Sequence, residues 1–496
     1  MTDPAGLLGE MTLEEKAAQL GAVWSSRLVR ADGQLDLEAA RVLLRDGIGH
    51  LTRVSSETGL PPERTAAIVN DLQRILVEET RLGVPAIVHE EALAGVCANG
   101  ATQFPQAIGM AATWNPDLVE EAAVAIRAEL RAGGARQALA PVLDVTRDPR
   151  WGRLEETYGE DPYLAARMGV AYVRGLQGED LATGVAATAK HFLAYGFPEG
   201  GMNHASAVIG ARLLRDVVAA PFRAAINEAG LASVMAAYND VDGLPCHGSA
   251  EILDALLRRE LGFGGVVVAD YFGIQLLASW HGLARADEDA AAVAIESGID
   301  LELPTTQAYR NLPALVRAGR VGQGLVDRSC LRLLELKERL GLFTDPFAPE
   351  GGAAPFDRPG HRELARRVAE ESIVVCTNDG VLPLRAGADL AVIGPSADDG
   401  RLFLGDYGYP AHVEIIHEVA QYEGPQVAGG RIMPALEQMP TATALDGLRS
   451  SGFRVRHVRG CDVQSADRSD IPAAVEAARR SEVAVVCVGG RSGLTG

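Results

Sequence analysis

Short apolar runs recur between positions 48 and 303, and most of them stop abruptly on a polar side chain. The clearest is GGVVVAD at 264–270. Three consecutive valines without polar alternation predict a strand covered on both faces, and the stretch 271–280 predicts a helix after it. PAIVH at 85–89 runs into Glu90 and Glu91, ALAPVLD at 138–144 ends in Asp144, and VAATAK at 185–190 runs into His191. ASVMAAY at 232–238 ends in Tyr238 and Asn239, IDLEL at 299–303 stops at Pro304, and a short IGHL at 48–51 comes first. Helix-like segments at 63–81, 116–133, 161–177, 211–229, 249–260, 285–297 and 307–318 separate these runs. Repeated strand–helix alternation of about eight units predicts an α/β fold, a (β/α)8 TIM-type barrel. An open doubly wound sheet is the alternative, although no Gly-x-Gly-x-x-Gly follows the first strand. In a barrel the polar strand ends converge on one mouth, where such folds place their chemistry. As an isolated residue, Asp270 would instead read as a helix N-cap or a buried structural carboxylate.

The barrel pattern ends after a charged helix at 327–340, and GLFTDP at 341–346 is a helix stop followed by turn residues. Residues 346–360 hold four Pro and three Gly, the profile of a linker. A helix at 361–372 leads into a second α/β pattern. Its strands are LAVI at 390–393, FRVRHV at 453–458 and VAVVCV at 483–488, and its helices lie at 441–450 and 472–481. Residues 401–434 form a long insertion, and loops of that length are often functional. The expected division is a catalytic barrel at 1–342, a linker at 343–370 and an incomplete α/β sandwich domain at 371–496. An apolar strand so near the last residue predicts a piece of a longer reading frame, or a partner chain over a bare sheet edge.

The formal net charge of −20 argues against phosphate-backbone binding and anionic membrane surfaces, so neither nucleic acid nor membrane is an expected partner. No apolar run approaches the roughly 18 residues of a membrane span. The start, MTDPAG, has no basic and apolar leader pattern. Cys97, Cys246, Cys330, Cys376, Cys461 and Cys487 form no CxxC pair and no zinc spacing. A reducing cytoplasm is the expected location. HEEALA at 89–94 lacks the second His of a zinc-protease motif, and no phosphate-cradling loop is present, so no metal and no organic cofactor is expected.

The predicted mouth collects the carboxylates Asp270 and Glu91, the donors Arg153, Lys190 and His191, and the Tyr238 phenol. Such a set suits neutral polyols, because carboxylates accept from sugar hydroxyls and the cations donate to them. Cations around a solvent-open Asp270 are expected to lower its pKa and keep it ionised. An ionised carboxylate at a barrel mouth is what double-displacement glycoside hydrolysis requires.

The motifs then become specific. TLEEK follows Met11, HEEALAG spans 89–95, and DPRWGR at 148–153 precedes ETYGEDP at 156–162. KHF follows at 190–192 and GVVVAD at 265–270. In that order the chain resembles glycoside hydrolase family 3, which includes β-glucosidases and β-xylosidases. The resemblance implies Asp270 as nucleophile, with Glu91 as the acidic residue that holds those sugar hydroxyls lying far from the scissile bond. Arg153, Lys190 and His191 match hydroxyl donors, and Tyr238 matches an aromatic residue that orients the nucleophile. A structural ion pair with Asp148 or Glu156 is the plainer reading of Arg153. Asp144 and Asp148 are expected to anchor loops, and Trp151 to pack the loop that carries Arg153.

Two departures leave the preferred sugar open: Ala94 stands where the family commonly has His, and GGMNH at 200–204 replaces a common GGRNW. The loop 193–206 does not match the N-acetylglucosaminidase branch. The family's general acid/base, a Glu just downstream of a Ser-Gly-Leu-Thr segment, is expected beyond Ser492–Thr495. Glu414, Glu418, Glu423 and Glu437 are poor substitutes, and Glu476 and Glu482 read as solvated helix residues.

The expected function is therefore a retaining exo-β-glycosidase, first of all a β-glucosidase, acting on an oligosaccharide or aryl β-glycoside. β-Xylosidase or α-L-arabinofuranosidase activity is the nearest alternative. An inactive sugar-binding fragment and a Schiff-base aldolase using Lys190 stand further off. Self-association into a homo-oligomer is left open.

Overall fold

The structure is a computed structural model that describes residues 3–30, 32–349, 355–415, 441–491 and 493. A seven-stranded, all-parallel sheet follows chain order through β1 (Ala22–Trp24), β2 (His50–Thr52), β3 (Ile87–Glu90), β4 (Gln137–Ala138), β5 (Ala186–Phe192), β6 (Ser233–Ala236) and β7 (Val266–Val268). Residues 299–303 supply the last stave. Leu301 bridges Val268 in parallel, the Glu302 amide donates to the Leu20 carbonyl (2.9 Å), and the Ala22 amide donates to the Thr305 carbonyl (3.4 Å). The sheet thus curls back on its first strand, as a (β/α)8 barrel does.

Side-chain alternation explains the valines. Val266 and Val268 join Ile87, Leu139, Met235 and Leu301 in one buried cluster, whereas Val267 belongs to the larger cluster shared with the surrounding helices. Successive strand residues point to opposite faces, so both faces need apolar cover. Leu333 and Leu336 of the helix Gln323–Arg339 join the inner cluster. Helix starts follow local chemistry: Asn115 and Asp161 cap Pro116–Ala132 and Pro162–Gln177, each with Pro at the first helical position.

Most apolar runs fall on the observed strands, but β1 was not among them. Its three residues are too short to show a period. The run 138–144 is strand only at its start, with Val142 returning as an isolated bridge to Lys190. Beyond the barrel, the helix Pro359–Glu371 packs on it, and its Val368 is buried in the barrel's outer cluster. A second parallel sheet has the order β9–β8–β10, formed by β8 (Asp389–Ile393), β9 (Arg454–Val458) and β10 (Val483–Val486). The long insertion opens with a turn of helix at Gly400–Phe403 and a helical stretch over 409–415, while 416–440 lie outside the described residues.

Candidate active site

Asp270 lies two residues past Val268 on the same alternation, so its side chain continues the inward-facing row at the barrel's mouth. It is buried rather than open to solvent, at 7% exposure. Its backbone is pinned from below. The Asp270 amide donates to Nε2 of His247 (3.1 Å), a buried ring whose pKa burial pushes down to about 3. Oδ1 accepts from the Tyr271 amide (2.8 Å). Oδ2 is buried and makes no hydrogen bond among the described residues. Nε2 of His191 stands 3.7 Å from it.

His191 is locked by Asp144, whose Oδ2 accepts from both the His191 amide (2.9 Å) and the ring Nδ1 (2.8 Å). Burial, helped by Arg153 and Lys190, holds this imidazole well below its ordinary pKa. A neutral ring that donates from Nδ1 offers a lone pair at Nε2. The Arg153 guanidinium meets that lone pair at 3.1 Å. Oδ2 of Asp270 therefore keeps its own lone pairs free.

Arg153 forks onto Glu156 with contacts of 2.7 and 2.8 Å, so its plainer reading as an ion-pair partner holds for Glu156. It reaches the site as well, through His191 and through the Tyr407 hydroxyl at 3.4 Å. Asp148 pairs with Arg150 instead. Lys190 donates to Oε2 of Glu91 at 2.8 Å, and both side chains are buried. That pair sets an acceptor beside a donor, the pattern a vicinal diol can bridge. The Tyr238 hydroxyl donates to the Tyr271 carbonyl (2.8 Å) and lies near enough to Asp270 to favour its charged form. Trp151 is buried, and its indole donates to Asn203 (3.2 Å), which ties the Arg153 loop to the 200–204 turn. The six residues singled out in the sequence are thus drawn together around one point.

One electrostatic expectation is corrected. Burial is the largest influence on Asp270 and pushes its pKa up to about 6, while Arg153 and Lys190 pull the other way. The carboxylate is mostly ionised at neutral pH, though by a narrower margin than cations alone would give.

Sequence reasoning missed several members of this site. Tyr407 packs its ring 4.8 Å from the Lys190 ammonium and stacks on His412 at 4.5 Å. The buried Arg53 contacts His412 and lies 5.7 Å from the Tyr271 ring. It holds a left-handed backbone (φ 52°), unusual for a non-glycine residue. A signal existed for Arg53, because it ends β2 as Glu91 and Asp270 end other runs. For Tyr407 and His412 the only signal was the length of the insertion.

The carboxylates considered as substitutes for the acid are poorly suited. Burial raises the pKa of Glu414, but the Arg401 and Arg491 guanidinium groups on either side, each at 2.7 Å, outweigh it and hold it below the usual range. Glu476 is paired with Arg480 on an exposed helix face, and Glu482 with Arg385 just ahead of β10. Glu418, Glu423, Glu437, Ser492, Leu494 and Thr495 lie outside the described residues.

Comparison with known proteins points one way. Residues 12–336 match the model of the glycosyl hydrolase family 3 N-terminal domain. A β-xylosidase of Formosa agariphila is 34% identical over 439 residues, which are 82% of this chain and 57% of that protein. A periplasmic β-glucosidase of Salmonella typhimurium is 33% identical over 411 residues, 81% of this chain and 51% of that protein. The chain thus spans a little over half the length of these curated relatives. Among solved structures, a β-glucosidase of Erythrobacter marinus superposes with a TM-score of 0.86 at 34% identity, over 99% of this chain and 66% of its own.

Proposed function

The chain belongs to glycosyl hydrolase family 3, and on that premise we propose that its barrel performs the nucleophilic half of retaining exo-β-glycoside hydrolysis, with β-glucosides as the first substrate class. The observation that carries this reading is Oδ2 of Asp270: buried, without a hydrogen-bond partner among the described residues, and part of a carboxyl ionised above a pKa of about 6. In this reading Oδ2 attacks the anomeric carbon as the glycosidic C–O bond breaks, which gives a covalent glycosyl-enzyme. Glu91 with Lys190 grips the ring hydroxyls, and Arg153, held in place by His191 and Glu156, donates to them. Tyr238 and His247 hold the nucleophile's turn.

The departing oxygen needs a proton, and a second carboxyl group about 5–5.5 Å from the nucleophile gives it in retaining enzymes. We assign that group to the part of the protein that follows the barrel. β-Xylosidase activity is the second reading, favoured by relatives of that name at comparable identity. A reducing cytoplasmic location and the division at 1–342, 343–370 and 371–496 belong to the same proposal.

A 2,4-dinitrophenyl glycoside provides the test, because its leaving group departs without a proton. Mixing the protein with dinitrophenyl β-glucoside or β-xyloside is expected to release one equivalent in a burst and leave a hexose or pentose mass on the peptide containing Asp270. The larger burst identifies the sugar. No burst with either, and no labelled Asp270, would reject the glycosidase reading.

A further inference from the structure

Two fully buried histidines inside the barrel connect to the nucleophile's turn. His50 opens β2 and His89 is the third residue of β3. Their Nδ1 atoms meet at 3.1 Å, and Nε2 of His89 meets the Tyr271 hydroxyl at 2.8 Å. Tyr271 directly follows Asp270. Its amide donates to Oδ1 of the nucleophile (2.8 Å), and its carbonyl accepts from Tyr238 (2.8 Å). Trp24 and His89 meet its ring edge-on, at 5.4 and 6.0 Å. His247 and Tyr238 tether the backbone of this turn, whereas His89 tethers its side chain from within the barrel.

We propose that His50 and His89 are positioning residues for the glycosidase reaction: a buried hydrogen-bonded chain that fixes the Tyr271 side chain and, through it, the amide that holds Asp270. The inference rests on the glycosidase reading above.

The chain has one favoured order of donors. Burial keeps both imidazoles neutral, with His89 pushed down to a pKa of about 3 and His50 well below its ordinary value. A contact between the Nδ1 atoms of two neutral rings holds one proton, given by one ring and accepted by the other. If His89 gave it, His50 would carry its own proton on Nε2, a buried atom without a hydrogen-bond partner among the described residues. A buried N–H without an acceptor is the rarer defect. If His50 gives it, the orphan is a lone pair, and the positive charge of Lys337, which helps to lower the His50 pKa, also favours a lone pair there. His89 then carries its proton on Nε2 and donates to the Tyr271 oxygen. Tyr271 is only half-buried at the mouth, where its own hydroxyl proton can meet water or a bound hydroxyl. Donation therefore runs outward, from His50 through His89 to Tyr271.

Two measurements on the full chain test the inference. Imidazole nitrogen NMR reads the tautomers without any substrate, and His50→Asn and His89→Gln assign the signals. His50 protonated on Nδ1 and His89 on Nε2 is the expected pair, and the reverse pair, or a charged ring at pH 7, overturns the chain. Burst rates with dinitrophenyl β-glycosides read the positioning. The side chain of His89→Asn is too short to reach Tyr271, and the Tyr271 amide is one of the groups that favour ionised Asp270. This variant is expected to slow the saturating burst about tenfold and to move the acid limb upward by about half a pH unit, with the half-saturating concentration changed less than about twofold. His89→Gln can donate to Tyr271 as Nε2 does, and it is expected to recover most of the rate. Tyr271→Phe keeps the ring, removes only the hydroxyl and is expected to reproduce the shift of the limb, so the claim stays testable if His89→Asn fails to fold. Equal losses in the Asn and Gln variants with an unmoved limb, or parent rates and limb in Tyr271→Phe, overturn the positioning role and leave the glycosidase reading standing. The expected tautomers in a parent chain that gives no burst overturn the glycosidase reading and, with it, the positioning role.

Discussion

The barrel and the sheet that follows it are both built from parallel strands, yet they treat valine differently. All three residues of β7 are buried, whereas β10 alternates half-buried and exposed, with Val486 at 62% exposure. Closure makes the difference. A curled sheet with helices outside covers both faces of every strand and gathers all strand ends into one ring. The three-stranded sheet gathers no such ring. Its side of the chain reaches the mouth through the segment that leads to Tyr407 and His412. In the proposed reading the barrel supplies charge and the nucleophile, and the later segment supplies the aromatic side chains Tyr407 and His412 beside Lys190 and Arg53.

Asp270→Ala tests the barrel's half of that division most severely. Turnover is expected to fall by roughly 10⁴-fold or more while thermal stability stays near the parent's, with partial rescue by azide. The pH profile carries the same claim. The carboxyl must be ionised to attack, and burial raises its pKa from 3.8 to about 6. Glycosylation rates are therefore expected to fall as pH drops through about 6 and to stay level just above it. Burst rates between pH 4.5 and 8 would show this, and a flat profile across pH 6 would remove Asp270 as the titrating nucleophile.

Next in size is the buried pair beside Tyr407. Lys190→Met leaves Glu91 buried without its cation, and loss of one partner of a buried pair costs about 3–5 kcal/mol. Urea unfolding is expected to show that loss, and Lys190→Met combined with Glu91→Gln is expected to recover much of it. The single change also strips a charge that favours ionised Asp270, so the acid limb is expected to move to higher pH. An unchanged urea midpoint in the single variant would mean that this part of the barrel is wetter than its burial indicates.

The same contrast explains what was legible in the sequence. Asp270, Lys190, His191 and Glu91 could be found because each follows an apolar run in a closed sheet, where strand ends have only one place to go. Arg53 escaped because β2 was taken to stop at Leu51, two residues short of it. β1 escaped because three residues carry no period. Tyr407 and His412 could not be placed from spacing, since a tertiary path brings them to Lys190 and Arg53 from the far side of the barrel's last helix. The field at Asp270 was also misjudged. Neighbouring cations are visible in a sequence, but the depth of burial that outweighs them is not.

Tyr407→Ala sharpens the later segment's half. Its ring covers Lys190 and its hydroxyl meets Arg153, contacts of about 0.5–2 kcal/mol when desolvated. The Michaelis constant for small aryl glycosides is expected to rise between twofold and thirtyfold. The acid limb is expected to stay near pH 6, because the charges around Asp270 remain. A loss as large as that of Asp270→Ala would erase the division of labour and move Tyr407 into the reacting set.

The smallest expected effect bears on the second sheet itself. Val486 is exposed, and a surface substitution away from special features changes stability by about 0.5 kcal/mol or less. Val486→Lys is therefore expected to leave the urea midpoint nearly unchanged. Leu390→Ala, in the buried middle of β8, is expected to cost about 2–5 kcal/mol. The two variants differ in cost only if the Val486 face meets water. Should Val486→Lys prove as costly as Leu390→Ala, that face is covered in solution, by another segment or another chain, and the second sheet is as fully enclosed as the barrel. Ile373, Val374 and Val375, exposed at 73%, 65% and 62%, would then be the next positions to probe with lysine.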